Sequence, residues 1–326
     1  MRLFARKGTR RVGNALALVA LAVVVGPVSP GPAGPAGPAG VLGAYTGYGN
    51  VAADQAIGAE LGHPLAYGSD YIPYSSGWAG MVDPRIESLW AHSGLRMVYG
   101  LPMFPDSCGI SRAACWNAGA AGNYDSYFSQ IARNLVDNGQ GNAILRLGWE
   151  FNVPQGYAWY AGGYAPQFVR FWRDVVTVMR AVPGADFTFD WNPNIGSTLS
   201  DLASYYPGGA YVGAIGFDVY DMAWQAYPGP RALWQQDLTE ADGLNWLVSF
   251  GAEHGKPLSL PEWGLGITAR PAGRGNVGGG DDSYFVNQVA GFVADHDVIE
   301  AGLWDYQGQF PSAGNPAATA ALVKDF

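Results

Sequence analysis

A (β/α)8 barrel is the architecture this chain predicts, and three observations predict it. From Val41 onward, short apolar runs alternate with longer stretches of helical periodicity, and eight such runs can be counted. Helical patterns follow nearly every run, and one more closes the chain. The whole alternation fits between Val41 and Phe326, close to the roughly 250 residues typical of this fold. A doubly wound open sheet is the competing architecture, and it is marked by a glycine-rich turn after the first strand. Here that strand ends Tyr45-Thr46-Gly47-Tyr48-Gly49-Asn50, which is not that turn. Gly264-Leu-Gly266-Ile-Thr-Ala269 matches the dinucleotide pattern in letters, but it leads into Arg270-Pro271-Ala272-Gly273 and opens no helix.

Taken in order, the expected strands are Val41–Tyr48, Pro64–Tyr71, Leu95–Met103, Ala143–Glu150, Asp186–Asn192, Tyr211–Tyr220, Pro257–Glu262 and Ile299–Gln307. The expected helices begin with Val51–Leu61 and Pro84–His92. Tyr124–Asp137 and Pro166–Val182 carry the clearest helical periodicity, and Asp242–His254, Asp282–Asp295 and Pro316–Lys324 follow. Leu199–Tyr206 has only a weak helical pattern, so the fifth crossover is the least defined.

Residues 1–40 stand apart from this single catalytic domain of residues 41–326. Arg2, Arg6, Lys7, Arg10 and Arg11 form a basic cluster without an acid, and an apolar stretch from Val12 to Val25 follows. Such a pair is the n-region and h-region of a secretory signal. The apolar stretch falls short of the ~20 residues that span a bilayer, so a retained anchor is the lesser reading. Gly31 to Gly40 repeats Gly-Pro-Ala, too briefly for a collagen helix, and reads as a stiff linker. An extracellular protein is expected, monomeric and without stable membrane association once the leader is cleaved.

The chain carries a net charge of −9, and losing the five leader cations leaves −14. Such a surface repels nucleic-acid phosphates, and a neutral partner is expected instead. Only two cysteines occur, Cys108 and Cys115, on a Gly/Ala/Ser/Pro-rich stretch after the third strand. In an exported protein they are expected to form a disulfide at the edge of the groove. The spacing does not suit zinc, which takes four Cys/His ligands. His63, His92, His254 and His296 are isolated and read as surface residues. No G-x-S-x-G elbow, Walker A loop, H-E-x-x-H or EF-hand loop is present.

Two strands end alike. Ile-Leu-Arg-Leu-Gly-Trp-Glu-Phe-Asn (144–152) and Leu-Ser-Leu-Pro-Glu-Trp-Gly (258–264) are apolar runs that stop at a glutamate followed by an aromatic residue. An ionisable group at the end of a buried strand is costly unless used. In a barrel, reactive groups project from these ends. Glu150 and Glu262 are thus expected to face each other, the equipment for cleaving a glycosidic bond. Strand parity puts Arg146 on the Glu150 side, where it needs a carboxylate partner from Asp190, Asp218 or Glu262. Trp149, Trp159, Trp191, Trp224, Trp263 and Trp304 fall at or beyond strand ends, where aromatic planes can stack on sugar rings. Asn152, Asn192, Asn194 and Asp221 are candidates for hydrogen bonds to hydroxyls, or equally turn residues.

These segments, with Trp-Asn-Pro-Asn (191–194) and Tyr-Tyr-Pro-Gly-Gly…Val-Gly-Ala-Ile-Gly-Phe-Asp-Val-Tyr (205–220), resemble glycoside hydrolase family 26 over essentially all of residues 41–326. That family is best known for endo-β-mannanases of the retaining (β/α)8 clan. The resemblance implies that Glu150 is the acid/base and Glu262 the nucleophile. It also implies that Tyr220 contacts the nucleophile and that Trp304 lies under the sugar at the cleavage point. Where the family usually has histidine before the acid/base, this chain has Trp149, which bears on the sugar more than on catalysis. The expected activity is a retaining, β-1,4-mannanase-like cleavage of a polysaccharide, with no metal or organic cofactor. A β-glucanase, a β-xylanase, a transglycosylase with the same residues and a catalytically silent carbohydrate-binding protein are the alternatives.

Overall fold

A computed structural model describes residues 37–154, 156–196, 198–223, 226–266, 277–305, 310 and 314–326. The expected leader, most of the Gly-Pro-Ala linker and Trp224 lie outside the described residues, as do the last two positions of the expected eighth strand. Of the linker, Gly37 is extended and Pro38–Gly40 forms a short 3-10 turn rather than continuing a stiff rod.

The strands are β1 (Leu42–Tyr45), β2 (Tyr67–Tyr71), β3 (Arg96–Leu101), β4 (Ile144–Leu147), β5 (Thr188–Trp191), β6 (Ala214–Gly216), β7 (Val219–Ala223), β8 (Leu258–Leu265), β9 (Val277–Gly278) and β10 (Val298–Trp304). From β1 to β6 each strand pairs in parallel with the next; β6 then pairs with β8, β8 with β10, and β10 with β1. Eight parallel strands therefore close a barrel. The expected strand Tyr211–Tyr220 is broken at Phe217-Asp218, beyond which β7 continues along the upper part of β8. That added pairing carries β8 to Leu265, three residues past its expected end at Glu262. The short β9 lies antiparallel on β7.

Helices α1 (Val51–Leu61), α2 (Gly77–Met81), α3 (Arg85–Trp90), α4 (Arg112–Gly119), α5 (Asp125–Asp137), α6 (Ala165–Arg180), α7 (Pro230–Thr239), α8 (Leu244–His254), α9 (Ser283–Asp295) and α10 (Pro316–Asp325) form the outer layer. Their registry follows the apolar stripe. On α6, Phe168, Phe171, Trp172, Val175, Val176 and Met179 are buried, one face of a 3.6-residue repeat. No described helix is long and apolar enough to cross a membrane.

The elements absent from the sequence reading are α2, α4, α7 and β9. Helix α7 begins at Pro230 behind Gly229, whose φ is 99°. Proline at the first helical position needs no N–H partner, so the Pro228-Gly229-Pro230 turn signal is also a helix start. Helix α4 is capped by Ser111, whose hydroxyl accepts from the Ala114 N–H. The expected helix at Leu199–Tyr206 is only a 3-10 turn over Leu202–Tyr205. Cys108 and Cys115 form the expected disulfide, joining the loop after β3 to α4. His63, His254 and His296 are half-buried rather than fully exposed, the last two packed on Phe250 and Phe292.

Carboxylates are buried in this fold with few cations to meet them. Asp54, in the first turn of α1, accepts from the Thr46 hydroxyl at 2.7 Å and has an unpartnered Oδ2. Burial, with the Asp70 and Asp305 charges adding, pushes it up to about 8. Glu87 on α3 has no hydrogen bond to either oxygen, and burial pushes it up to about 7. In the unfolded chain both titrate near ~4. The folded state therefore holds extra protons between about 4 and 8, and stability falls as pH rises through that window. The melting temperature should decline from pH 5 to pH 8, and combining Asp54→Asn with Glu87→Gln should flatten the slope. An unaltered slope in the double variant would show that these carboxyls are not its source.

Candidate active site

β4 carries Arg146 into the barrel, where its side chain is 1% exposed. Nη2 lies 2.7 Å from Asp218 Oδ2 and 2.7 Å from Glu262 Oε1. Nε donates to Asn192 Oδ1 at 2.7 Å, and Nη1 to the Tyr71 hydroxyl at 3.1 Å. Of the three expected partners, Asp218 and Glu262 are met; Asp190 instead accepts from the Ser259 hydroxyl at 2.7 Å. Asn192 also donates to Asp218 Oδ1 at 3.1 Å. A buried charge thus has partners on each of its three nitrogens, the condition for keeping it there.

Glu262, on β8, accepts from the Tyr71 hydroxyl at 2.5 Å on Oε1 and from the Tyr220 hydroxyl at 2.6 Å on Oε2. With Arg146 on Oε1, every neighbour is a donor, which suits an acceptor-only carboxylate. Burial, with the Glu262 charge adding, raises both tyrosines well above their ordinary value, so they stay protonated donors.

Glu150 arrives differently. β4 ends at Leu147, three residues before the expected end, and Gly148 (φ 59°) turns the chain. Glu150 itself has φ 50°, in the left-handed region that a residue with a Cβ adopts at a cost of order 1–3 kcal/mol. Its N–H donates to Asn192 O at 2.8 Å, which fixes that conformation. The turn, rather than strand parity, brings Glu150 to the side of Arg146. Asn194 Nδ2 donates to Glu150 Oε1 at 2.6 Å. Burial, then the Glu262 charge, pushes Glu150 up to about 7, against the opposing pull of Asn194, Arg146 and Tyr157. One carboxylate is saturated with donors while its neighbour is poised to hold a proton near neutrality.

A groove of about 860 Å³ runs beside the pair, with Tyr45, Tyr71, Tyr74, Trp149, Tyr157 and Trp304 in its wall. Asp106, from the loop that carries Cys108, also lines it. Trp304 is half-buried, with Tyr45 4.5 Å away between ring centroids. Trp149, 1% exposed, is enclosed by Tyr71, Tyr74, Tyr157 and Trp159 in the wall of the groove.

Other expected contacts lie elsewhere. Trp191 and Trp263 are 0% exposed, on the outer face of the barrel. Trp191 packs on Phe151, Tyr206 and Phe250, and Trp263 stacks on Phe326 at 5.4 Å. Each adjoins an inward residue, Asn192 or Glu262, and successive side chains of a strand face opposite ways. Trp159 is buried too, its indole N–H donating to Trp149 O. Asn192 and Asn152 are buried supports rather than groove residues. Asn152 clasps the Asn194 backbone through two 2.8 Å hydrogen bonds, which aims the Asn194 amide at Glu150. Tyr45, Tyr71, Tyr74 and Tyr157 were absent from the sequence reading. Tyr45 and Tyr71 close β1 and β2, so the strand-end rule that selected Glu150 and Glu262 applies to them equally.

No protein-family model and no curated protein sequence matches the chain. Solved structures do. GH26C from Muricauda sp. MAR_2010_75 superposes with a TM-score of 0.62 at 17% identity, over 86% of this chain and 84% of that one. Bacillus subtilis mannanase man26 gives 0.60 at 14% identity over 86% and 84%. The GH26 β-mannanase of Bacteroides ovatus gives 0.58 at 15% identity, over 87% of both chains. At such identities the likeness is one of fold, and this chain has the (β/α)8 fold of glycoside hydrolase family 26 structures.

Proposed function

We propose that the protein is a retaining glycoside hydrolase acting on a β-linked polysaccharide outside the cell, with Glu262 as nucleophile and Glu150 as acid/base. The observation that carries this reading is the unequal pair: a carboxyl raised to about 7 beside one saturated by Tyr71, Tyr220 and Arg146, at the edge of an aromatic groove. In the first step a Glu262 oxygen attacks the anomeric carbon and forms a glycosyl ester. The bond to the leaving oxygen breaks, and that oxygen takes the Glu150 proton. In the second, Glu150 removes a proton from water, whose oxygen displaces Glu262 from the anomeric carbon. Both steps balance with these two carboxylates, and neither requires a metal or organic cofactor.

The mannanase neighbours make a β-mannan the first substrate to test. Trp149, in place of the histidine usual in the resembling family, fills the wall next to Glu150 and favours trying β-glucan and β-xylan beside it. Reducing-end release on mannan, lichenan, laminarin and xylan is the direct experiment; no release from any of the four would overturn the hydrolase reading.

Glu262→Ala should abolish turnover on every substrate. Glu150→Ala should lose about 10²–10⁴-fold on polysaccharide but keep the first step on an activated aryl glycoside, whose leaving group needs no proton. Equal losses on both substrates would reverse or void the roles. Asn194 donates to the charged form of Glu150, so Asn194→Ala should raise its pKa further. The basic limb of the kcat/KM profile, near pH 7 in the wild type, should move to higher pH. A limb that stays in place or moves down would dissociate it from Glu150. Trp304→Ala should raise KM with little loss of Tm, whereas truncating a core tryptophan costs about 3–5 kcal/mol. A large thermal loss with unchanged KM would assign Trp304 to packing.

A further inference from the structure

A second cavity, of about 460 Å³, is walled in part by residues that bond the same two carboxylates. Asn194 and Tyr220, which bond Glu150 and Glu262, are part of its wall, as is Asp218, which is paired with Arg146. Met222, Ala223 and Leu233 make part of the remainder apolar. Against these walls the last turn of α7 and the residue after it present two further carboxyls, Asp237 and Glu240. Among the described residues, no lysine, arginine or histidine lines the cavity.

Asp237 is the unusual member. It is 5% exposed, and its Oδ2 is buried without any hydrogen-bond partner. Glu240, half-buried, lies beside Gly196 on the opposite wall. Burial and the Glu240 charge push Asp237 up to about 8, so the pair resists holding both charges. Leaving such a group unpartnered is costly, yet nothing in the proposed double displacement uses it.

A partner that donates hydrogen bonds and brings positive charge would offset both carboxyls together. A sugar hydroxyl supplies only the first. A hard divalent cation supplies the second but takes six or more oxygens, and no group of three or more potential metal ligands occurs among the described residues. An alkyl ammonium supplies both, with three donors on one centre, and tolerates apolar walls around its carbon frame. Its arrival also favours the ionised form of Asp237.

We infer that this second arm is a subsite for an amine-bearing sugar, a 2-amino-2-deoxyhexose unit, whose ammonium is accepted by Asp237 and Glu240. The inference rests on the glycoside hydrolase reading only for the direction in which the sugar chain crosses Glu150 and Glu262.

The test uses the full chain carrying Glu262→Gln, which keeps oligosaccharides intact during titration. At pH 6, calorimetry compares the β-1,4-linked glucosamine trimer with its N-acetylated form and with cellotriose. The free-amine trimer should bind at least about 10-fold more tightly than either, as charge-assisted bonds to a buried acceptor imply. Adding Asp237→Asn, which keeps the side-chain shape, should remove that preference without lowering Tm, and Glu240→Gln should reduce it. Equal binding of the three trimers, binding of none, or a preference that survives Asp237→Asn would overturn the subsite. The two readings fail separately. Polysaccharide cleavage by the wild type without amine preference removes the subsite alone; an Asp237-dependent preference without cleavage of any polysaccharide removes the hydrolase and leaves the subsite.

Discussion

Arg146 is the buried cation around which the upper barrel is arranged. Among the described residues it is the only fully buried basic side chain, and Asp218, Glu262, Asn192 and Tyr71 all converge on it. These partners come from β2 and β8, from the residue after β5, and from the break between β6 and β7. A guanidinium offers five donors in a fixed plane, so its partners are held in direction as well as distance. Removing it would leave two buried carboxylates facing each other without compensation, the expensive case for any buried ion pair. One side chain thereby ties barrel closure to the position of Glu262.

The two glutamates differ because their supports differ. Glu262 sits within β8, where the register against β10 shifts between Leu260 and Trp263, and receives donors from three side chains. Glu150 sits past the end of a strand, in a strained left-handed conformation, and receives one amide bond at 2.6 Å from Asn194. Asn152 holds Asn194 by two backbone contacts, so even that single bond is built from a second residue. The raised proton affinity of Glu150 follows from its burial, with the charge on Glu262 adding and the Asn194 amide opposing. Strain at Glu150 is tolerated because its backbone N–H is bonded to Asn192, itself bonded to Arg146.

The aromatic residues divide by shape and position. Tryptophans adjoining inward polar residues face outward and fill the layer between strands and helices, as Trp191 and Trp263 do. Tyrosines take the groove and the site, where a hydroxyl on a flat ring both packs and donates. Tyr71 serves in both ways: its ring adjoins Trp149 and Trp304, and its hydroxyl links Arg146 to Glu262.

The sequence by itself determined the barrel, the eight strand positions to within a few residues, the disulfide pair and the strand ends where Glu150, Glu262 and Arg146 stand. These are local signals: apolar runs, helical periodicity and costly charges at the ends of buried segments. It also held the outward orientation of Trp191 and Trp263, since a period of two fixes it once Asn192 and Glu262 face inward. Tertiary structure alone decided which carboxylates Arg146 meets, because Asp190 and Asp218 are equivalent in sequence and differ only in which neighbours close around them. It decided the Asn152–Asn194 clasp and the left-handed turn at Glu150, each of which depends on partners far away in the chain. It also left Asp237 buried without a partner, since only the folded arrangement of α7 and β7 encloses that carboxyl beside the site.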